Sequence, residues 1–556
     1  MGHRQRHRPG HQNWDWEARH GGECVFARNR QFRIREVMTA ESPSVAMAGS
    51  FERAGIATWI GFGLMCLGMF MAILDVQVVA TSLPNIQQAL HIEPDAMSWI
   101  QTAYLTAEVV AIPLTGWLTR VFTMRWLFVG ATALFTVASI SCALSGSFSA
   151  LVGFRVIQGF SGGMLIPLVF SAVFLLFPKR EEGLATTFAG VLAVLGPTVG
   201  PVVGGWITEA YSWHWLFLVN VAPGFIAVSL TPMLLPRDPM DLRHAETLDW
   251  LSLVWLIAAL ACLEIGLKQA PRVGWMSASS FALLGASILS GMLFARRSLR
   301  SIYKIVDLAT LKILPFAVGC GLSFCLGAGL FGSVYLMPVF LAYVRGHDAL
   351  QIGMIMLVTG LAQLATAPLA VFLEKRIDAR LLTGVGFALF AMGLGASAFA
   401  TRETDFDAMF WPQMLRGVAI MFCLLPPIRI ALGGLPGTQV PDASGLFNLM
   451  RDLGGAIGLA LIDTVLYGRV ATHAEALTAK LMAGDASAAR AIGLSPGLVA
   501  QKASGPLDAA TEAYLRPLVE KAAYAMSVNE AWMLLAAFSL VALGGIALLA
   551  QRKVQA

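Results

Sequence analysis

Asp75, Glu108, Arg155, Arg451 and Asp452 are ionisable residues set deep inside long apolar runs. An ionised side chain at the centre of a bilayer costs at least about 2.5–3.5 kcal/mol on insertion scales. Each of them must therefore be paired or used. Asp75 lies about nine residues from one end of its run, and Arg155 enters its own run from the same side to a similar depth, which allows an ion pair. Asp75 reads either as a coupling acid or as half of a structural pair. Glu108 stands about 12 residues into its run, close to the midplane, with no basic residue beside it in sequence. Two readings of it stay open. A buried carboxyl without a counter-charge can take a proton or a cationic ligand from one side and release it to the other. Alternatively, hydroxyls such as Thr106, Thr115 or Tyr104 hold it. Arg451 and Asp452 are adjacent, and adjacent helical residues face different directions. Each then needs a partner on another helix, and at least one should point into a cavity. Glu264 and Asp463 sit near run ends, where snorkelling explains them.

The elements that position these groups are membrane helices. The chain is 57% hydrophobic and 13% charged, with a mean hydropathy of +0.68, whereas soluble domains average about 25% charged residues. Fourteen apolar runs can each span a bilayer: 56–84, 96–118, 124–146, 148–177, 183–208, 213–235, 248–268, 275–295, 313–344, 349–373, 381–400, 408–433, 441–468 and 528–550. The net charge of +5 does not imply nucleic acid, because the basic residues fall in the loops between runs. With the N-terminus inside, the cytoplasmic loops hold Arg120, Arg125, Lys179, Arg180, Arg237, Arg243, Arg296, Arg297, Arg300, Lys304, Lys312, Lys375, Arg376, Arg380, Arg552 and Lys553. The short outer loops hold Lys268, Arg272, Arg345 and Arg402. That bias places both termini in the cytoplasm.

The fold expected is an all-α polytopic membrane protein with its 14 transmembrane helices arranged 6 + 2 + 6. Residues 1–55 form a basic, histidine-rich tail, read as disordered or as an extension of the gene upstream of a true start at Met38 or Met47. Residues 56–235 form one six-helix bundle, 236–312 two extra helices and a linker, and 313–556 a second six-helix bundle with an outer loop over 469–526. That loop is rich in alanine and broken by glycine and proline. It reads as short surface helices capping the outer face, or as a docking surface for a periplasmic partner. A faint repeat relates the bundles. Phe154-Arg155 precedes Pro167, and Leu415-Arg416 precedes Pro426-Pro427, with both arginines about 12 Å deep at 1.5 Å per residue. Related halves around a midplane site are the architecture of alternating access.

The fifth run carries Gly196-x-x-x-Gly200-Pro201-x-x-Gly204-Gly205. Glycine and proline cost about 1 and 3 kcal/mol inside a soluble helix, but a bilayer helix tolerates both and uses small residues for close contact. A bent, tightly packed membrane helix is expected. Six cysteines, Cys66, Cys142, Cys262, Cys320, Cys325 and Cys423, lie in spans and none lies in the long outer loop, so neither a disulfide framework nor a metal site is implied. No nucleophile–His–Asp set and no phosphate-binding Gly-Lys-Ser/Thr loop is present. The reading is therefore not an enzyme and needs no cofactor.

An ordered set of segments resembles the major facilitator superfamily, and within it the 14-span drug:proton antiporters of the EmrB/QacA type. The carriers are Leu74-Asp75-Val76-x-Val78-Val79 with Leu83-Pro84-Asn85-Ile86, then Gly116-Trp117-Leu118 with Arg120 and Arg125, and Arg155-Val156-Ile157-Gln158-Gly159. They continue with the glycine–proline segment of the fifth run, which resembles the antiporter motif, with Trp213-His214-Trp215-Leu216-Phe217-Leu218-Val219-Asn220, and with Ser444-Gly445-Leu446-Phe447-Asn448-Leu449-Met450-Arg451. The resemblance runs from about residue 56 to 550. It implies proton-driven efflux of hydrophobic or cationic compounds across a bacterial inner membrane. It also implies, for Gram-negative members, a periplasmic membrane-fusion adaptor and an outer-membrane channel as partners. Export of one endogenous metabolite (a siderophore, a fatty acid or an antibiotic) is the alternative. The family's membrane acid and fourth-span arginine map onto Asp75 and Arg155. Two departures stand out. Arg120 replaces the usual Asp and Thr123 the usual Gly of the loop motif, which does not fit the charge relay that latches the cytoplasmic gate. His214 stands where Arg is common, as a pH-sensitive group or a plain interfacial one.

Overall fold

The structure, a computed structural model, describes residues 53–91, 97, 99–301, 304–494 and 509–555. The expectations for the N-terminal tail, including its start at Met38 or Met47, lie outside the described residues apart from 53–55. Among the described residues every regular element is helical. Thirteen helices among them are long and apolar enough to cross a membrane. One of these, Trp99–Ala143, is 45 residues long, about 67 Å at 1.5 Å per residue against a hydrocarbon core of about 30 Å. Its axis breaks at Thr123, where φ is 64° and ψ 159°. The limbs 99–122 and 124–143 lie side by side, since Tyr104 of the first and Phe135 of the second both border Gly162. The helix therefore makes two crossings, and the fold has 14 spans.

In chain order the helices are α1 (Ile56–Ala89), α2 (Trp99–Ala143), α3 (Phe148–Leu176), α4 (Lys179–Ala210), α5 (His214–Leu218) and α6 (Val221–Leu234). The hairpin α7 (Trp250–Val273) and α8 (Ala278–Arg300) follows. The second set is α9 (Leu314–Phe340), α10 (Ala349–Glu374), α11 (Ala379–Ala396), α12 (Phe406–Leu432), α13 (Val440–Met482), α14 (Ala486–Ala491) and α15 (Ala509–Gln555). Some of the helix starts carry side-chain caps. Asp348 and Gln351 form a reciprocal capping box, Ser147 caps α3, and Asp249 caps α7.

Two pairings dominate the junction of the halves, beside smaller ones of α3 with α13 and α4 with α12. The first limb of α2 packs on α13, and α4 packs on α10. Glycines on both sides of α4 explain its close packing, those of α10 allowing the second pairing. Gly196 and Gly200 lie against Ile73 and Gln77 of α1, while Thr198 and Val202, on another face, meet Gly360 and Gly353 of α10. One helix thus touches both halves at backbone distance. The hairpin α7–α8 stands beside α2 and α13, tied by Trp275 donating to Thr464 (2.9 Å) and Lys268 donating to Thr102. Lys268 was expected in a loop, but α7 continues to Val273 and holds it inside the helix. On α8, Phe281, Ile288, Leu289 and Met292 are exposed, an apolar surface suited to lipid.

The loop over 469–526 differs from the expected chain of short helices. Its first stretch continues α13 to Met482, and its last opens α15. Residues 486–491 form the short α14, and 495–508 lie outside the described residues. Leu477, Leu481, Ala489, Ile492, Val519 and Ala523 pack into a small apolar core of their own.

Candidate functional site

Asp75 and Arg155 form a buried ion pair held by four further residues. Arg155 is 0% exposed and Asp75 1%. The guanidinium of α3 donates from Nη1 to Asp75 Oδ2 on α1, and to Gln158 Oε1 at 2.7 Å. Its Nε donates to the Ile100 carbonyl at 3.2 Å, and its plane lies 4.2 Å over the Tyr104 ring. Asp75 Oδ1 accepts from Gln158 Nε2 at 2.9 Å and from Asn220 Nδ2 at 2.8 Å. Gln158 also donates to Ser139 at 2.8 Å. Gln158 and Asn220 are the residues sequence reasoning did not single out. The available signal was position: Gln158 sits one turn from Arg155, and Asn220 ends the aromatic segment after the fifth span. Removing either charge leaves the other buried alone, at roughly 3–5 kcal/mol.

Glu108 is also buried, at 8% exposure, but its surroundings differ. Gly163 lets α3 approach it, because a Cβ there would come within 2.9 Å of Glu108 Cα. It makes no side-chain hydrogen bond among the described residues. The hydroxyl reading fails. Thr115 donates to the Ala111 carbonyl, Tyr104 to the Ala72 carbonyl, and Thr106 Oγ1 has no partner. Instead, the charges that act on Glu108 are Asp452, Arg451, Arg155 and Glu264. Two of these come from α13 of the other half, and Glu264 comes from the extra helix α7.

Arg451 and Asp452 correct the expectation that neighbours cannot meet. Arg451 Nε reaches Asp452 Oδ1 at 3.4 Å, because the long guanidinium stem bends back over its own helix. Asp452 Oδ2 remains buried with no partner. Glu264 does not behave as a snorkelling residue either, since Lys268 and Asp452 are the charges that act on it. Asp463 is bonded by Tyr335 at 2.8 Å across α9 and α13. The three carboxyls Glu108, Asp452 and Glu264 thus share two cations, Arg451 and Lys268, while Arg155 is already matched by Asp75. Fully ionised, the set carries one excess negative charge (3 − 2), which suits it to bind a proton or a cation. Among the described residues no group of three or more His, Cys, Asp or Glu side chains could hold a metal ion.

At one end of the bundle, Arg120 of α2 meets Asp442 of α13 at 2.5 Å and donates to the Lys304 carbonyl at 3.2 Å. Gly116 is required there: a Cβ would lie 2.8 Å from Asp442 Cα. The acid missing from the loop motif is therefore supplied from the opposite half, as an ion pair of reversed polarity. Thr123 adopts a backbone conformation otherwise almost confined to glycine, the residue usual at that motif position. Arg125 stays apart from this pair, with its guanidinium 5.0 Å over the ring of Trp126. Arg416 is remote from the cluster, buried at 3% and stacked 4.7 Å over Trp532.

Residues 65–459 match the family profile of the Major Facilitator Superfamily. The chain belongs to that superfamily. The transporter is 38% identical over 416 residues to the colistin resistance protein EmrB of Acinetobacter baumannii, covering 75% of this chain and 81% of that one. It is 29% identical over 487 residues to the multidrug export protein EmrB of Escherichia coli, covering 86% and 93%. It is also 29% identical over 423 residues to the fatty acid resistance protein FarB of Neisseria gonorrhoeae, covering 75% and 82%. Among solved structures it resembles the human organic anion transporter MFSD10, with a TM-score of 0.56 at 13% identity over 87% of this chain and 98% of that one. The fold and these relatives make it a multi-pass membrane transporter and not an enzyme.

Proposed function

We propose that this transporter exports hydrophobic or cationic drugs across the bacterial inner membrane, driven by protons moving inward. The observation that carries the reading is the Glu108 cluster. It is a buried carboxyl without hydrogen bonds, placed where both halves and the extra hairpin converge, in a set with excess negative charge. Similarity to the EmrB proteins supports the drug class.

The Lys and Arg bias puts both termini, and with them the Arg120–Asp442 latch, on the cytoplasmic side. The latched arrangement is then closed toward the cytoplasm. A proton arriving at Glu108 from outside neutralises the excess charge and removes the attraction for a cationic substrate, which leaves outward. Opening the latch exposes Glu108 to the cytoplasm, where it loses the proton and binds the next substrate. One carboxylate cannot hold both at once, so exchange follows. In this scheme Asp75–Arg155 is a clamp that keeps the first half rigid, the α4 glycine segment (Gly196, Gly200, Pro201, Gly204, Gly205) seats α4 on α1 through Gly196 and Gly200, and the other face of α4, with Thr198 and Val202 on Gly360 and Gly353 of α10, is the surface on which the halves rock. The projecting ends of α13 and α15 are where a periplasmic adaptor, continued by an outer-membrane channel, would sit.

Drug-induced proton release from liposomes holding the purified protein tests this reading. Wild type should release protons when a hydrophobic cation is added, and Glu108→Gln should not, with its fold intact. Undiminished release by Glu108→Gln would overturn it. Export of one endogenous metabolite is the second reading, favoured by the likeness to a fatty acid resistance protein.

A further inference from the structure

Each half carries one arginine at matching depth, and only one has a counter-charge. Arg416 of α12 is 3% exposed, and its Nε and Nη1 are buried with no hydrogen-bond partner among the described residues. No charged side chain acts on it. Its contact is the indole of Trp532, 4.7 Å from the guanidinium, and Gly393 of α11 lies against its stem. One turn along α12, Pro412 borders a cavity of about 170 Å³ that Trp532 also lines, together with Met337, Phe340 and Met409. A guanidinium stays charged at any ordinary pH and presents N–H groups in a fork that fits a carboxylate or a phosphate. Nε and Nη1 are sealed in the protein interior, and the indole of Trp532 that stacks on the guanidinium is also a wall of the chamber, whose lining is mainly apolar and does not include Arg416 itself.

We propose that Arg416 and this cavity bind the acidic head of an amphiphile, a carboxylate or phosphate group reaching the guanidinium as the Trp532 indole between them turns aside, with its apolar chain among Met337, Phe340 and Met409. The site lies in the half opposite the Asp75 clamp, away from the Glu108 cluster. It would give the transporter a locus for anions distinct from its locus for cations. The amphiphile is an exported acid or a membrane lipid, and the shared chemistry is the anionic head. The inference goes beyond the export reading, and binding is measured without a proton gradient. Its failure would leave the Glu108 scheme standing.

The test uses the full-length protein purified in a neutral detergent. Dodecanoate and dodecyltrimethylammonium are compared by thermal shift, at a pH where the acid is ionised, for wild type, Arg416→Met and Arg416→Lys. Dodecanoate should stabilise wild type, bind about tenfold or more weakly to Arg416→Met, and fall between for Arg416→Lys, which keeps the charge but loses the fork. The cationic amphiphile should not distinguish the three. Met409→Trp, which fills the cavity and leaves the arginine, should also lose dodecanoate. Native mass spectrometry then separates the sources. Phosphatidylglycerol that travels with wild type, is displaced by dodecanoate and is lost from Arg416→Met identifies a lipid. Dodecanoate binding with no retained lipid identifies an exported acid. Equal dodecanoate affinity in folded Arg416→Met and wild type, or in folded Met409→Trp and wild type, would overturn the proposal.

Discussion

Arg155 and Arg416 occupy corresponding places in the two halves and live in opposite chemical settings. Arg155 meets a carboxylate, an amide oxygen, a backbone carbonyl and an aromatic face, all from its own half. Arg416 meets an aromatic face and no acid. The same residue type at the same depth therefore does different work. A charge whose partners all come from one rigid bundle locks that bundle. A charge left without such partners keeps its affinity for something that arrives.

The contrast predicts a ladder of effects. At the top, Arg155→Met or Asp75→Asn leaves the surviving partner of the buried pair exposed to its desolvation cost, a loss of roughly 3–5 kcal/mol. Detergent-solubilised protein should melt far below wild type or fail to accumulate. Arg416→Met should show no such loss without an added anion, because no acid is orphaned and only a ring contact of about 1–2 kcal/mol disappears, offset by removal of a buried charge. A melting point well below wild type would erase the contrast. The part-buried Arg120–Asp442 pair comes next. Arg120→Ala should cost about 1–2 kcal/mol, and the exchanged pair Arg120→Asp with Asp442→Arg should restore part of it in a double-mutant thermal series. The smallest effect belongs to Asp249, which caps α7 and pairs with Arg297 of α8 at 2.7 Å. Asp249→Ala should cost about 1 kcal/mol through the lost cap. The hydrogen bond from Arg297, with those from Ser252, holds the Asp249 carboxyl down at about 2 against its burial. Its contribution is therefore complete above the usual carboxylate value near 3.9 and disappears as pH falls from there toward 2. A melting difference between wild type and Asp249→Ala that grows on acidification would contradict that sign.

What could be read in the sequence follows the same division. The spans were legible because each run is apolar over a bilayer thickness, and the proximity of Asp75 to Arg155 because both lie at one depth on helices of one bundle. The company of Glu108 was not legible. Asp452 is 344 positions away (452 − 108) and Glu264 is on the inserted hairpin, and a hydropathy pattern does not say which way a helix is rotated. Glu264 looked interfacial by depth alone, yet its neighbours are Lys268 and Asp452. Arg120 looked like a broken motif because its acid comes from the far half. The bend of Arg451 onto Asp452 depends on side-chain conformation, which spacing rules for neighbouring residues ignore.

The long helices at the end opposite the latch have a mechanical consequence. α13 has 43 residues and is about 64 Å long, so some 30 Å of it extends past a hydrocarbon core of about 30 Å. α15, with 47 residues, shares the apolar cap over its first turns. Such a rod is a lever fixed to the second half. A rocking tilt of about 10° would swing its tip by about 5 Å, so a small rearrangement around the buried acids becomes a displacement large enough to push on whatever rests against that tip.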